Sequence, residues 1–342
     1  MKQFTHAWLA FMAIKRLDDK KSGLAKDEQK YAVKLIEWFQ NNKDCVIQGA
    51  WYPDEVIKDN ANSHVLKITP SGAPLNVEFK EFKKLPEEYS GYSKYGKSSP
   101  MRKQAFTIDK ADNLADRCES LTESVIDHLK IQEHEDKGSP VSPTSNQVAH
   151  LLFMLSHYIA DAHVPLHCDS RQFSKGKNMH GQLEKDWEDE VLKFYKVDDS
   201  DSNNKRFYYD NEYPSRKLGP QEDYPASYLK KVEDELLNRK FGAISTLFGP
   251  GNDNVWDFMS AVCQNSYLLS YHFFVPAEIP DPTQAVFKDW KVANKVKSED
   301  LSAVVIADSI DTIARIWLRV WRRYIIWKEN RDKEKKIEQP ED

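Results

Sequence analysis

The chain has 342 residues, 40% hydrophobic and 12% aromatic, with 49 Lys and Arg against 54 Asp and Glu for a formal net charge of −5. Such a composition buries a substantial core and excludes a disordered chain. The acidic balance gives no electrostatic drive toward nucleic acid, and no apolar run approaches the ~20 residues of a membrane span.

In chain order the pattern predicts an all-α protein. Met1 and Lys2 followed by the apolar Trp8–Ile14 have the outline of a signal peptide. The apolar run is short, however, and Arg16 follows without a small-residue cleavage site, so residues 6–15 read as a first amphipathic helix of a cytoplasmic protein. A second helix over 26–41 presents Ala32, Val33, Leu35, Ile36, Trp38 and Phe39. Residues 44–70 read as irregular or extended, and 71–108, rich in Pro, Gly, Ser and Tyr, as a long ordered loop.

A helix over 109–132 stops before the turn-forming stretch Lys137-Gly-Ser-Pro140-Val-Ser-Pro143. Thr144 or Ser145 caps the next helix, 146–159, and Pro165 ends it. Helices over 183–195, 226–247, 254–275 and 299–328 follow, interrupted by a polar surface insertion at 197–225. The last helix mixes three tryptophans with three arginines between Ile316 and Trp327. Packing into the core with a basic stripe outside is the leading reading; a helix lying at a membrane surface is the minor one. With no internal repeat, the expected organisation is a single domain over 1–330 and a frayed, charged tail over 331–342.

Four cysteines (Cys45, Cys118, Cys168, Cys263) are scattered without a Cys-x-x-Cys pair, which leaves neither a thiolate zinc ribbon nor a disulfide scaffold. Cys168, beside His167, is a minor ligand candidate. Gly-rich nucleotide motifs and the Gly-x-Ser-x-Gly elbow are absent from the sequence. Chemistry concentrates instead in His157, Asp161, His167, His180 and Glu184. His157 and Asp161 stand four apart, as do His180 and Glu184, so each pair shares one helix face. Imidazole nitrogen and carboxylate oxygen are zinc's donors. Upstream, His6, Asp54 and His64 add to the same donor set, whereas His163 falls off the ligand register and reads as structural or as support for a ligand.

His157-x3-Asp161-x5-His167 followed by His180-x3-Glu184, with His6, Asp54 and His64 before them, resembles the superfamily joining bacterial zinc-dependent phospholipases C to fungal single-strand-specific zinc nucleases. The motifs cover residues 1–70 and 144–190. The resemblance implies a helical domain enclosing up to three Zn2+: one held by Asp54, His64, His157 and Asp161, a second by His167, His180 and Glu184. A third falls to His6, Asp161 and the amine and carbonyl of Met1. Asp161 then bridges two ions, a role that needs an acceptor with two oxygens. The resembled enzymes have a tryptophan, exposed by signal-peptide removal, where this chain has Met1, and a glycine where it has Ala160. Asp54 is implied to orient or deprotonate the attacking water.

The leading expectation is a phospholipase C-like phosphodiesterase, because the motif ends in Glu184 preceded by Leu183, as in the phospholipase branch, instead of Trp and Asp. The alternative is a single-strand nuclease or 3′-nucleotidase, for which Trp51 and Tyr52 supply base-stacking rings and Lys58 the nearest basic residue. A non-catalytic helical protein that binds zinc is the third reading. Partners follow suit: a phospholipid or other phosphodiester, nucleic acid under the alternative, and peripheral membrane contact if the last helix lies at a surface.

Overall fold

The computed structural model describes residues 1–42, 46–70, 106–108, 112–134, 142–171, 179–198, 206–207, 209–210, 213–214, 221–239, 241, 255–274 and 296–338. Most of the expected loop at 71–108 and much of the insertion at 197–225 lie outside the described residues, as does Cys45. The fold is all-α. Its helices are α1 (Gln3–Lys20), α2 (Lys26–Asn41), α3 (Val46–Tyr52), α4 (Leu114–His134) and α5 (Ser145–Ala162). There follow α6 (Pro165–Cys168), α7 (Met179–Phe194), α8 (Tyr228–Asn238), α9 (Val255–Phe273) and α10 (Ser298–Glu338). Short antiparallel ribbons decorate them: β1 (Ile68–Pro70) with β2 (Phe106–Ile108), β3 (Val197–Asp198) with β4 (Arg206–Phe207), and β5 (Tyr209–Asp210) with β6 (Tyr213–Pro214).

The helix that places the site is α5. Thr144 caps it with a full capping box: Thr144 Oγ1 accepts the Gln147 N–H, and Gln147 Oε1 accepts the Thr144 N–H. Every residue from Leu152 to Ala162 is buried, so all sides of this stretch are covered, the mark of a helix enclosed by neighbours. It ends at Ala162 because Val164, before Pro165, takes an extended conformation, and Pro165 then opens α6 at a position where no N–H is needed. Around α5 pack α3, α4, α1 and α10. Trp317 of α10 meets Phe39 of α2 and Phe153 of α5 at ring-centroid distances of 4.8 and 5.4 Å, and its Nε1–H donates to the Leu152 carbonyl at 3.0 Å.

Several expectations change, among them the helix over 226–247, which ends at Asn238 because Arg239 takes an extended conformation. Helix α10 continues through residues 331–338, so the charged tail is helical as far as Glu338. Its alternating Lys and Glu favour helix without any apolar face to announce it. Residues 46–64, expected to be irregular, form α3, one π-helical turn (Pro53–Ile57) closed by Lys58 at φ 51°, and a 3-10 turn (Ala61–His64) capped by Asn60. Helical pieces this short show no readable period. On α10, Trp317 and Trp321 are buried, and so is Arg319. Arg322 pairs with Glu28 and Arg323 with Glu123, so the expected basic stripe is partly internal. Among the described residues no helix is long and apolar enough to cross a membrane.

Gly49 lets α3 lie directly against α5. A Cβ there would sit 2.6 Å from Phe153 Cβ and 2.7 Å from the His150 carbonyl oxygen, and the second of these is backbone that cannot rotate away. Gly49→Ala is therefore expected to destabilise the chain by about 1–3 kcal/mol in urea unfolding. Gly23→Ala, with nothing within 4 Å of the added carbon, should change little; equal costs at both positions would contradict the close approach.

Candidate metal centre

The centre grows from one turn of α5. His157 and Asp161 project from the same face, 0% and 1% exposed. His157 Nδ1–H donates to the Ala50 carbonyl of α3 at 2.8 Å, which settles the tautomer and leaves the Nε2 lone pair facing inward. That Nε2 lies 3.2 Å from His64 Nδ1, 3.4 Å from Asp161 Oδ2 and 3.6 Å from Asp54 Oδ1. The 3-10 turn brings His64 Nδ1 within 2.9 Å of Asp161 Oδ2. Beyond the break after α5, α6 swings His167 round to α7, where its Nε2 is 2.6 Å from His180 Nε2 and 3.3 Å from Glu184 Oε1. His180 and Glu184, one turn apart on α7, approach to 2.7 Å.

From the other side, α1 and the two residues before it bring two donors. The Met1 amine stands 2.9 Å from Asp161 Oδ1 and 2.8 Å from Glu184 Oε1. His6 Nε2 is 3.5 Å from Asp161 Oδ1, and its ring stacks on His157 at 3.8 Å. All nine residues singled out in the sequence (Met1, His6, Asp54, His64, His157, Asp161, His167, His180, Glu184) thus gather in one place. Three sets have ligand atoms mutually within 4.8 Å: His6 with Asp54 and His157, His64 with His157 and Asp161, and His167 with His180 and Glu184. Asp54 groups with His6 as well as with His157, so the boundary between the first and third implied sets is less sharp than the resemblance suggests. Cys168 is buried with its thiol directed at the Ala162 carbonyl (3.4 Å) and belongs to none of these sets.

The residues fit a cation. Buried polar atoms are normally hydrogen-bonded, yet both ring nitrogens of His6 and Nδ1 of His167 have no hydrogen-bond partner. Imidazole nitrogens aimed at each other across 2.6 Å, as at His167 and His180, share a proton or a positive ion and nothing else. Burial by itself would raise the Asp161 carboxyl; the Met1 amine and then the His167 and His157 imidazoles outweigh it and hold Asp161 well below the usual carboxylate range. Glu184 is likewise held down against its burial, by the Met1 amine, His167 and His180. Burial opposes the charged form of the Met1 amine, but Asp161 and Glu184 together push it up to about 11. His167 moves the other way, lowered to about 4 chiefly by burial, so it stands as a neutral lone-pair donor. The cluster therefore can hold a metal ion.

Most of the groups that support the donors carry no sequence signal. Asp59 accepts from Tyr158 Oη (2.5 Å) and from Arg117 Nη2 (2.9 Å), and the same Arg117 nitrogen donates to Ser63 Oγ at 3.2 Å. This braces the turn that presents His64. The Ala50 carbonyl could not have been found, since backbone acceptors leave no trace in residue identity. Glu188 on α7 accepts from the first turn of α1; its spacing of four from Glu184 was a legible clue. His163 does act structurally, its Nε2 lying 3.0 Å from Thr312 Oγ1 of α10. Lys58 is exposed on the turn beyond Asp54.

No family model, no curated protein and no solved structure matches this chain.

With divalent ions chelated, the charge pairing sets a pH window. Carboxyls held low stabilise fully above their unfolded values near ~4 and lose that contribution as pH falls through the folded values. The Met1 amine, raised to about 11, stabilises fully below its unfolded value and loses that contribution as pH climbs through about 11. The melting temperature of the chelated protein, followed by circular dichroism, should be level only near about pH 7–8. It falls on the alkaline side as the amine titrates. On the acid side it falls from about pH 6.5, where the buried neutral His167, lowered to about 4, begins to oppose folding, and further as the carboxyls protonate. A level profile from pH 8 to 11 would contradict the pairing of the amine.

Proposed function

We propose that this chain is a zinc-dependent phosphodiesterase of the phospholipase C kind. The observation carrying that reading is the convergence of three donor sets around one buried carboxylate, Asp161, beside an acid that stays open to solvent, Asp54. Imidazole and carboxylate are zinc's donor set. A purely structural ion would need one closed set, and the arrangement goes beyond that. When bound, zinc supplies Lewis acidity toward a phosphoryl oxygen and acidifies a water toward neutrality.

The chain's own residues supply the rest. The Asp54 side chain is 44% exposed, against 2% for Asp161 and 9% for Glu184, so it is the carboxylate able to meet an incoming water and take its proton. His64 and His157 flank it at 3.8 and 3.6 Å and hold it over the cluster. Asp161, with its two oxygens directed to different neighbours, keeps both halves of the cluster at fixed spacing. Trp51, next to the Ala50 whose carbonyl holds His157, is buried and packs edge-on against Phe4 at 5.3 Å.

Phospholipid as the substrate rests on Glu184 preceded by Leu183, the pairing that resembles the phospholipase branch. Leu183 is fully buried, so the pairing supports the reading by resemblance and not by a substrate contact of Leu183.

The test is zinc-supplemented hydrolysis of a soluble short-chain phosphatidylcholine, read as phosphocholine release. Turnover should vanish on chelation and return with zinc. Asp54→Asn should lower kcat/KM by about 10²–10⁴-fold, the usual worth of a positioned general base. A His157→Ala protein as active as the unaltered chain would sink the reading. Cleavage of single-stranded nucleic acid or 3′-nucleotides in place of lipid would move it to the nuclease branch, and zinc binding with no turnover on any of these to a non-catalytic role.

A further inference from the structure

Both ring nitrogens of His6 lack a hydrogen-bond partner, so no hydrogen bond of its own holds this buried imidazole beside Asp161. Its place depends on where α1 begins. The first N–H groups of any α-helix have no partner within the helix, and α1 has neither a side-chain cap nor an acidic residue in its first turn. The missing acceptor comes from α7. Glu188 Oε1 accepts the Phe4 N–H at 3.0 Å, while Oε2 accepts the Thr5 N–H at 2.7 Å and the Thr5 hydroxyl at 3.0 Å.

Glu188 follows Glu184 by four residues and His180 by eight, so one face of α7 carries two metal-ligand candidates and then this clamp. Its carboxylate joins that face to the turn of α1 that presents Met1 and His6. Ionised carboxylates bonded to backbone N–H groups are among the stronger hydrogen bonds, and this one is partly buried, where competition from water is weak. Burial raises the Glu188 carboxyl, and the Phe4 and Thr5 N–H groups offset only part of that rise.

We propose that Glu188 is a positioning residue: by capping α1 from α7 it sets His6 and Met1 in ligand register with Asp161 and Glu184. The inference rests on the cluster holding a metal and not on any substrate. A partner group behind a ligand commonly costs 10–100-fold in metal affinity when lost, and the effect here should fall on the ion that His6 serves. His167, His180 and Glu184 need nothing from α1 to approach one another.

The experiment compares the unaltered chain with Glu188→Ala, Glu188→Gln and Ser227→Ala. Ser227→Ala removes the N-cap of α8, which supplies no member of the cluster. Bound zinc is counted by elemental analysis, and affinity is measured by titration well below each melting temperature. Glu188→Ala should bind fewer ions per chain or show one class weakened about 10–100-fold. Glu188→Gln, which keeps one acceptor oxygen, should fall between, and Ser227→Ala should lose stability with its zinc count intact.

Full stoichiometry and unaltered affinity in folded Glu188→Ala would overturn the proposal and leave Glu188 as a plain helix cap. Should the unaltered chain bind no divalent ion, the metal reading itself fails, and the positioning claim is decided by NMR on the metal-free proteins. There Glu188→Ala should shift the His6 imidazole resonances and speed hydrogen exchange at Phe4 and Thr5, whereas unmoved His6 resonances would overturn it.

Discussion

A carboxylate at 1% exposure is the constraint to which this molecule answers. Burying an ionised group costs several kcal/mol unless charge and hydrogen bonds are brought to it. Asp161 is supplied from every direction: the Met1 amine from just before α1, His64 from the 3-10 turn, His157 from its own helix, and His167 from α6. These pieces are remote in the chain, so the helices cannot take other relative positions without stranding the charge. Even the bare contact of α3 on α5 at Gly49 belongs to this arrangement, since it places the Ala50 carbonyl that orients His157.

A second buried polar cluster shows by contrast what makes the first a site. Arg16 of α1 bonds to Asp311 of α10 through Nε at 2.8 Å, and to the Leu236 and Arg239 carbonyls through its other nitrogens. Asp311 gives its remaining oxygen to Arg315 at 2.7 Å. All three guanidinium nitrogens of Arg16 and both oxygens of Asp311 are partnered there, and an ion network of that kind fixes the orientation of helices without calling for a ligand. Around Asp161 the surplus is of lone pairs: imidazole nitrogens face one another and face carboxylates, with unpartnered nitrogens on His6 and His167. Only a cation relieves that kind of surplus. His163, two residues past Asp161, bonds to Thr312 of α10, the neighbour of Asp311 in sequence.

Helix α1 serves both clusters, with His6 at one end of its buried face and Arg16 nearer the other. Its position is set twice, by ion pairs to α10 and by the Glu188 carboxylate at its first turn. A helix held at both ends presents its side chains to the centre within narrow limits. That matters for metal sites, where errors of a few tenths of an ångström weaken binding.

Residue identity and spacing alone determined the helical class, most helices, and the five donors His157, Asp161, His167, His180 and Glu184; Met1, His6, Asp54 and His64 join them as the set the resemblance implies. The reason is local: apolar periodicity, Thr144 before Gln147, Pro165 after Ala162, and donors four apart on one turn are all written within a few positions of each other. The short helix α3 and the continuation of α10 to Glu338 were not legible, because neither carries an apolar period of sufficient length. Tertiary structure decided what depends on chain segments far apart meeting. It placed Asp54 with both His6 and His157, turned the Ala50 carbonyl onto His157, and set Asp59 and Arg117 behind His64. It also gave α1 a cap from α7. Backbone acceptors and contacts between remote segments have no signature in a single sequence, since they exist only once hydrophobic burial has brought the helices together.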